Sequence, residues 1–278
     1  MNKDTNQIMT HINAYKMDGL GNNFVILDLR DNSLEITKDK IINLASKKAV
    51  SFDQLITLEN KKENTFPIKI FNPDGIEVTA CGNGVRCIAY LIFEENNQKK
   101  ILIRTKERLL SAEVTEKQNV KINMGKPKFN WDEVPIIKKV DTNKIAIDNV
   151  DKELGYGFCI NVGNPHIIFF VKDCYKIDIK NLGPTIENHK MFPERINVSF
   201  AQIINKKNIK INVWERGAGQ TKACGTAACA AAVAANKKGF VDKNLDVHFI
   251  EGKLRIEYNK EIFMSGPVSK VEKIRLDI

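Results

Sequence analysis

Ala223-Cys224-Gly225-Thr226-Ala227-Ala228-Cys229-Ala230-Ala231-Ala232-Val233-Ala234-Ala235 is the stretch on which the fold turns. From Ala227 on, residues 227–236 read as a helix that is apolar on nearly every face, and a helix of that kind has to be enclosed. Its side chains are so small that surrounding strands can approach its axis closely. The expected picture is a central pillar inside a sheet. A second segment of the same character, residues 84–95, starts three positions after another Cys-Gly pair, Cys81-Gly82.

Sliding the chain against itself by 143 positions aligns the two. Cys81-Gly82 then falls on Cys224-Gly225, each preceded by alanine, Ala80 and Ala223. Ile70-Phe71 falls on Val213-Trp214, Gln54 lands on Asn197, and Gly21-Asn22 meets Gly163-Asn164 to within one residue. The shared order is polar loop, strand, Cys-Gly turn, buried helix. We read two pseudo-symmetric halves whose Cys-Gly turns face one another.

Outside the pillars, short β-branched and aromatic runs at 24–27, 67–71, 101–103, 120–123, 166–171, 209–214 and 254–258 read as strands, and residues 38–46 as an amphipathic helix. The glycine, proline and charge-rich residues 125–134 are the expected linker. The domains are therefore placed at 1–127 and 128–266.

The 278 residues, 43% hydrophobic and 28% charged, suit two ordinary globular domains. No apolar run nears the ~18–20 residues of a membrane span, and the first eleven residues, read as a disordered tail, lack the apolar core of a signal peptide. A cytoplasmic protein with reduced thiols is expected, so the six cysteines are core fillers, ligands or reagents. The net charge of +9 comes from scattered lysines without interleaved aromatics, which argues against nucleic acid as a partner.

A Cys-Gly turn at a helix start offers two things. The first helical N–H groups lack intrahelical partners and can hold a carboxylate, and the positive helix end stabilises a thiolate. Gly82, Gly84 and Gly225 let a ligand come close to the main chain. Two such turns facing across a cleft would bind one carboxylate and set a sulfur on each face of its α-carbon. A thiolate on one side removes the α-proton, the helix ends stabilise the enolate, and a thiol opposite returns a proton with inversion. That chemistry needs two equivalent groups and no pyridoxal ring.

Four runs then carry a family resemblance: Met17-Asp18-Gly19-Leu20-Gly21-Asn22-Asn23-Phe24-Val25; Asn72-Pro73-Asp74-Gly75-Ile76-Glu77-Val78-Thr79-Ala80-Cys81-Gly82-Asn83-Gly84-Val85-Arg86-Cys87; Gly163-Asn164-Pro165-His166; and Trp214-Glu215-Arg216-Gly217-Ala218-Gly219-Gln220-Thr221-Lys222-Ala223-Cys224-Gly225-Thr226. Together they resemble the signatures of the diaminopimelate epimerase family, in the family's order, from about Tyr15 to the C-terminus. The resemblance implies that Cys81 and Cys224 are the acid and base interconverting LL- and meso-diaminopimelate, a small-molecule substrate on the route to lysine and peptidoglycan, with Cys81 serving the LL isomer. It implies that Gly82-Asn83 and Gly225-Thr226 hold the reacting carboxylate. Asn22, Gln54, Asn72, Asn164, Asn197, Glu215 and Arg216 match the family's substrate-contacting positions. The implied fold is α/β (α+β), two pseudo-symmetric domains, each a curled, mainly antiparallel sheet around a central buried helix. The implied active site is the cleft between them, and a last strand, about 267–278, returns to the first half. No cofactor is implied, and a homodimer is left open. The chain departs from the family at Asp18, Asn23, Ser51 and Ala227, positions that shape loops.

Blander readings compete. Cys87, Cys159, Cys174 and Cys229 read as buried core, and their spacings from Cys81 and Cys224 fit no common zinc knuckle. Lys222 lacks the phosphate-binding glycine loop of a pyridoxal site. His166 is read as catalytic or loop-orienting in equal measure, and His11, His189 and His248 as surface. The rivals are a proline or hydroxyproline racemase, which needs no Glu-Arg strand end, and a non-catalytic binding protein, which needs neither cysteine.

Overall fold

The computed structural model describes residues 11–31, 34–47, 50–78, 81–148, 150 and 154–278. Ala80 and the N-terminal tail, apart from His11, lie outside them. The chain divides into two compact units, Met1–Gln118 with Val268–Ile278, and Asn119–Pro267.

In the first unit, β1 (His11–Asp18), β2 (Asn23–Asp28), α1 (Lys38–Ser46), β3 (Gln54–Leu58), β4 (Thr65–Phe71), β5 (Glu77–Val78), α2 (Gly82–Asn96), β6 (Lys100–Arg104) and β7 (Leu109–Glu116) follow in order, and β17 (Glu272–Asp277) closes it. The strands run β17-β1-β2-β3-β4-β6-β7, with β5 a short hairpin partner on β4. Pairings are antiparallel except β2 with β3 and β4 with β6.

The second unit contains β8 (Asn119–Gly125), β9 (Phe158–Asn161), β10 (Pro165–Phe170), α3 (Ile179–Glu187), β11 (Asn197–Asn205), β12 (Asn208–Glu215), β13 (Gly219–Thr221), α4 (Gly225–Lys237), β14 (Asn244–Phe249), β15 (Gly252–Tyr258) and β16 (Ile262–Pro267). Its order is β9-β10-β11-β12-β14-β15-β16-β8, with β13 a hairpin partner on β12. Only β10 with β11 and β12 with β14 are parallel.

The ladders reproduce the internal repeat residue by residue. Phe24 pairs with Gln54 as His166 pairs with Asn197; Leu55 with Phe71 as Val198 with Trp214; Ile70 with Val78 as Val213 with Thr221. The offset is 143 throughout except between Phe24 and His166, where it is 142, so the two units share one strand arrangement.

Side-chain alternation explains why the first strands read as continuous apolar runs. On β2 and β3, Val25, Leu27 and Leu55 join Ile41 and Leu44 of α1 in one cluster. Phe24 and Ile56 point the other way, to the start of α2, where a Cβ on Gly84 would come within 2.7 Å of Ile56 Cδ1. In the second unit α3 plays the part of α1, with Ile179 and Ile186 packed among Phe169, Val198 and Phe200. Gly225 to Ala235 of α4 are all buried, and the helix touches β9, β10, β11, β12, β14, β15 and β16. This is the enclosure its alanines foretold.

The expected division at residue 127 differs from the observed one, because β8 pairs with β16 from Asn119 to Gly125 and so belongs with the second unit. The glycine and proline content of 125–134 marks a loop inside that unit. Helix α3 was not expected, since Gly183 and Pro184 interrupt its pattern. His189 and His248 are half-buried, not surface residues. No helix among the described residues is long and apolar enough to cross a membrane.

Candidate active site

Cys81 and Cys224 occupy the same local structure. Each is the N-cap of a buried helix, with φ of −145° and −133°, so the following N–H groups emerge at the helix end.

In the first unit Cys81 is half-buried; its sulfur accepts from Gly84 N at 3.5 Å and its thiol meets Asn22 Oδ1 at 3.7 Å. Asn22 Nδ2 donates to Asp53 Oδ2 at 3.4 Å, and the same oxygen accepts from Asn23 N at 2.8 Å. Asp53 was not singled out from the sequence; standing next to Gln54 was its only signal. The Asn22 loop folds tightly through Gly21 N donating to Asp18 Oδ1. Gln54 Nε2 donates to Asn72 Oδ1 at 3.1 Å, and Gln54 Oε1 is buried with no partner among the described residues. Gly82 and Asn83 are buried at the helix start, where Arg86, fully buried, donates to Asn83 Oδ1.

In the second unit Cys224 is buried, with its sulfur 3.3 Å from Thr226 Oγ1. Burial, and then the neighbouring Glu215 charge, push its thiol well above the ordinary range. Glu215, which bonds the thiol, is itself raised by desolvation, and Thr221 Oγ1 donates to its Oε1 at 2.6 Å. Gly225 and Thr226 begin α4 as Gly82 and Asn83 begin α2. Ala227 is fully buried there.

Arg216 sits at the second position of a turn closed by Ala218 N donating to Glu215 O, with Gly217 at φ 78°. Its backbone N donates to Asn197 Oδ1 at 3.0 Å, its guanidinium to Glu194 O, and Asn197 Nδ2 to Pro165 O at 2.7 Å. His166 is fully buried beside Asn164, whose Oδ1 lies 2.9 Å from its Nε2. Burial and the nearby Arg216 charge lower His166 to about 3, so it is a neutral imidazole at physiological pH. The geometry thus favours the orienting half of its two expected roles.

The structure therefore gathers Asn22, Gln54, Asn72, Cys81, Gly82 and Asn83 in the first unit, and Asn164, His166, Asn197, Glu215, Arg216, Cys224, Gly225 and Thr226 in the second. Cys87, Cys159 and Cys229 are fully buried core thiols, and burial raises Cys174 to about 11. No group of three or more His, Cys, Asp or Glu able to hold a metal occurs among the described residues. Lys222 points to Glu251, 3.6 Å away.

The sequence model of the diaminopimelate epimerase family matches residues 14–130 and 158–271. A diaminopimelate epimerase from Pelagibacter ubique (strain HTCC1062) is 46% identical over 273 residues, covering 96% of this chain and 99% of that protein. Among solved structures, a predicted epimerase from Pseudomonas aeruginosa superposes with a TM-score of 0.68 at 12% identity over 97% of this chain and 99% of the other. A hydroxyproline epimerase from Agrobacterium vitis does so with 0.65 at 10% over 96% and 93%. At such identities the structural likeness speaks to the fold alone.

Proposed function

This chain belongs to the diaminopimelate epimerase family, and we propose on that premise that Cys81 and Cys224 together interconvert LL- and meso-2,6-diaminopimelate, in the cytoplasm and without a cofactor. The observation that carries the reading is the equivalence of the two cysteines: both cap buried helices at matching positions of a repeated fold. An inversion that removes a proton from one face of a carbon and returns one to the other needs such a pair.

The N–H groups of Gly82-Asn83 and Gly225-Thr226 hold the reacting carboxylate. As the α-proton leaves, charge flows into that carboxylate, and the positive helix ends stabilise it where it develops. Glu215 accepts from a substrate ammonium, and Arg216 grips a carboxylate. Asn22, Gln54, Asn72, Asn164 and Asn197 supply amide contacts, with neutral His166 fixing Asn164.

Burial and Glu215 raise the Cys224 thiol well above its ordinary range, which supports its part as proton donor. Cys81 is then the base when the LL isomer binds, the assignment the family resemblance implies. The roles exchange in the reverse direction.

The test is α-carbon deuterium wash-in from heavy water with LL-diaminopimelate and no pyridoxal phosphate. The wild type should exchange with inversion, and Cys81→Ala and Cys224→Ala should each lose roughly 10²–10⁴-fold, the usual worth of a positioned acid or base. Exchange with proline instead would replace the substrate assignment. Exchange with neither would leave a binding protein.

A further inference from the structure

Helix α3 ends on Glu187, an acid buried at the helix end where the backbone dipole is negative. Position and burial both disfavour it there, so whatever its carboxyl holds must compensate. Three N–H donors do so. Oε2 accepts from the Trp214 indole at 2.7 Å, and Oε1 accepts from Gly217 N at 2.8 Å and from Arg195 Nη1 at 3.2 Å. Trp214 and Gly217 flank Glu215-Arg216. One buried carboxyl thus grips both ends of the segment that carries the two charged candidate substrate contacts. Gly183, one turn earlier on α3, presses on the same indole.

The repeat supplies a control within the molecule. In the first unit the corresponding helix ends at Ser46, exposed, whose hydroxyl donates to Asn43 O in its own helix. The corresponding turn runs Asn72-Pro73-Asp74-Gly75, closed by Gly75 N donating to Asn72 O, with proline at the position Arg216 takes. The rigid ring of Pro73 needs no outside support to fix its backbone. An arginine in the same place does. The tether occurs where Glu215 and Arg216 stand in place of Asn72 and Pro73.

We propose that Glu187 is a positioning residue that sets the Glu215-Arg216 turn for substrate recognition by bonding Trp214 and Gly217 on either side of it. The proposal rests on the reading above that Arg216 and Glu215 contact substrate. Glu187 touches neither substrate nor reacting atoms. It acts on binding through the backbone course of the turn.

The experiment uses the full chain and its Glu187→Gln variant. Glutamine keeps the shape, but its amide oxygen is favoured on the side of the two donors, Gly217 N and Arg195, which turns its NH₂ group on the single indole donor, so the indole end of the tether is lost. For LL-diaminopimelate, KM should rise about 10-fold, the scale of one hydrogen bond to a charged group, while kcat falls less than about 3-fold. In a Trp131→Phe background, where Trp214 is the only tryptophan, its indole N–H resonance should move as the carboxyl bond is lost. A merely structural residue would lower the melting temperature and leave the KM to kcat split alone. Trp214→Phe removes the indole end by a separate route and should raise KM in the same direction, which keeps the test open should Glu187→Gln fold poorly. KM within about 2-fold of wild type in these variants overturns the proposal, as does an unmoved indole resonance. A wild type that turns over no diaminopimelate sinks the function reading instead, and the indole resonance still decides whether the tether exists.

Discussion

Replacing Gly183 with alanine sets two physical effects against each other. Gly183 lies inside α3, and a glycine-to-alanine change in a helix interior ordinarily stabilises by about 1 kcal/mol. Here the new Cβ would stand 2.4 Å from Trp214 Cδ2, 2.5 Å from Cγ and 2.9 Å from Cβ. Carbon atoms rest at about 3.5–4.0 Å, so the indole has to retreat by roughly 1 Å. Its root cannot follow easily, because Trp214 is paired in β12 with Val198 and Gln220. Overpacking of this kind costs about 1–3 kcal/mol. A retreat of that size also stretches the 2.7 Å bond from the indole to Glu187 beyond hydrogen-bonding range, a further loss of about 1.5–3 kcal/mol. After the helix gain is credited, the net is a destabilisation of about 1.5–5 kcal/mol, or roughly 3–20 °C in melting temperature for a unit of this size. Differential scanning calorimetry of Gly183→Ala beside the wild type reads it directly. An equal or higher melting temperature would refute the reasoning, for it would mean that the indole has room and that helix propensity governs the site.

Two further outcomes follow from burial. His166 titrates near 3 when folded against 6.5 for the free side chain, so between those values the unfolded chain holds the extra proton; its stabilising contribution is complete above about pH 6.5 and drains as pH falls, by up to roughly 1.4 kcal/mol per pH unit. Melting temperatures taken from neutral to mildly acidic pH should fall more steeply for the wild type than for His166→Asn, and parallel slopes would remove His166 as the cause. Ala231→Leu places three extra carbons on a fully buried face of α4 and should lower the urea midpoint, with an unchanged m value, by about 1–3 kcal/mol of stability; a midpoint that stays put would show that the sheet around the pillar can dilate.

The sequence disclosed what is local or repeated. The two pillars are legible because composition alone demands their burial, and the offset of 143 because Ala-Cys-Gly recurs ahead of each. Six of the seven β-branched runs fall within strands, and the seventh, 166–171, overruns β10 by Val171 alone. The runs leave β1, β3, β7, β9, β11, β14 and β16 unmarked as well as β5 and β13, whose two or three residues cannot show a period of two, and β17, with only Ile274 and Leu276 partly or fully buried among its apolar residues, was expected from the family resemblance alone. The boundary was misplaced for a related reason: glycine and proline announce that a chain turns, while only the ladder between β8 and β16 says which unit owns the strand.

The same limit accounts for what was hidden around the candidate site. Cys81 and Cys224 were visible through the glycines that follow them in a repeated turn. Asp53, Thr221 and Glu187 carry no such mark, because each acts through a bond to a residue distant or offset in sequence. Glu187 is the extreme case. Gly183-Pro184 reads as a helix breaker, so the element presenting Glu187 looks like a loop, yet the glycine is there because the Trp214 indole leaves no room for a Cβ. What broke the sequence pattern is therefore the contact that organises the charged turn. In a duplicated fold the repeat reveals what the two halves share, and the departures from it, proline in one turn and arginine in a turn held at both ends in the other, mark where they differ.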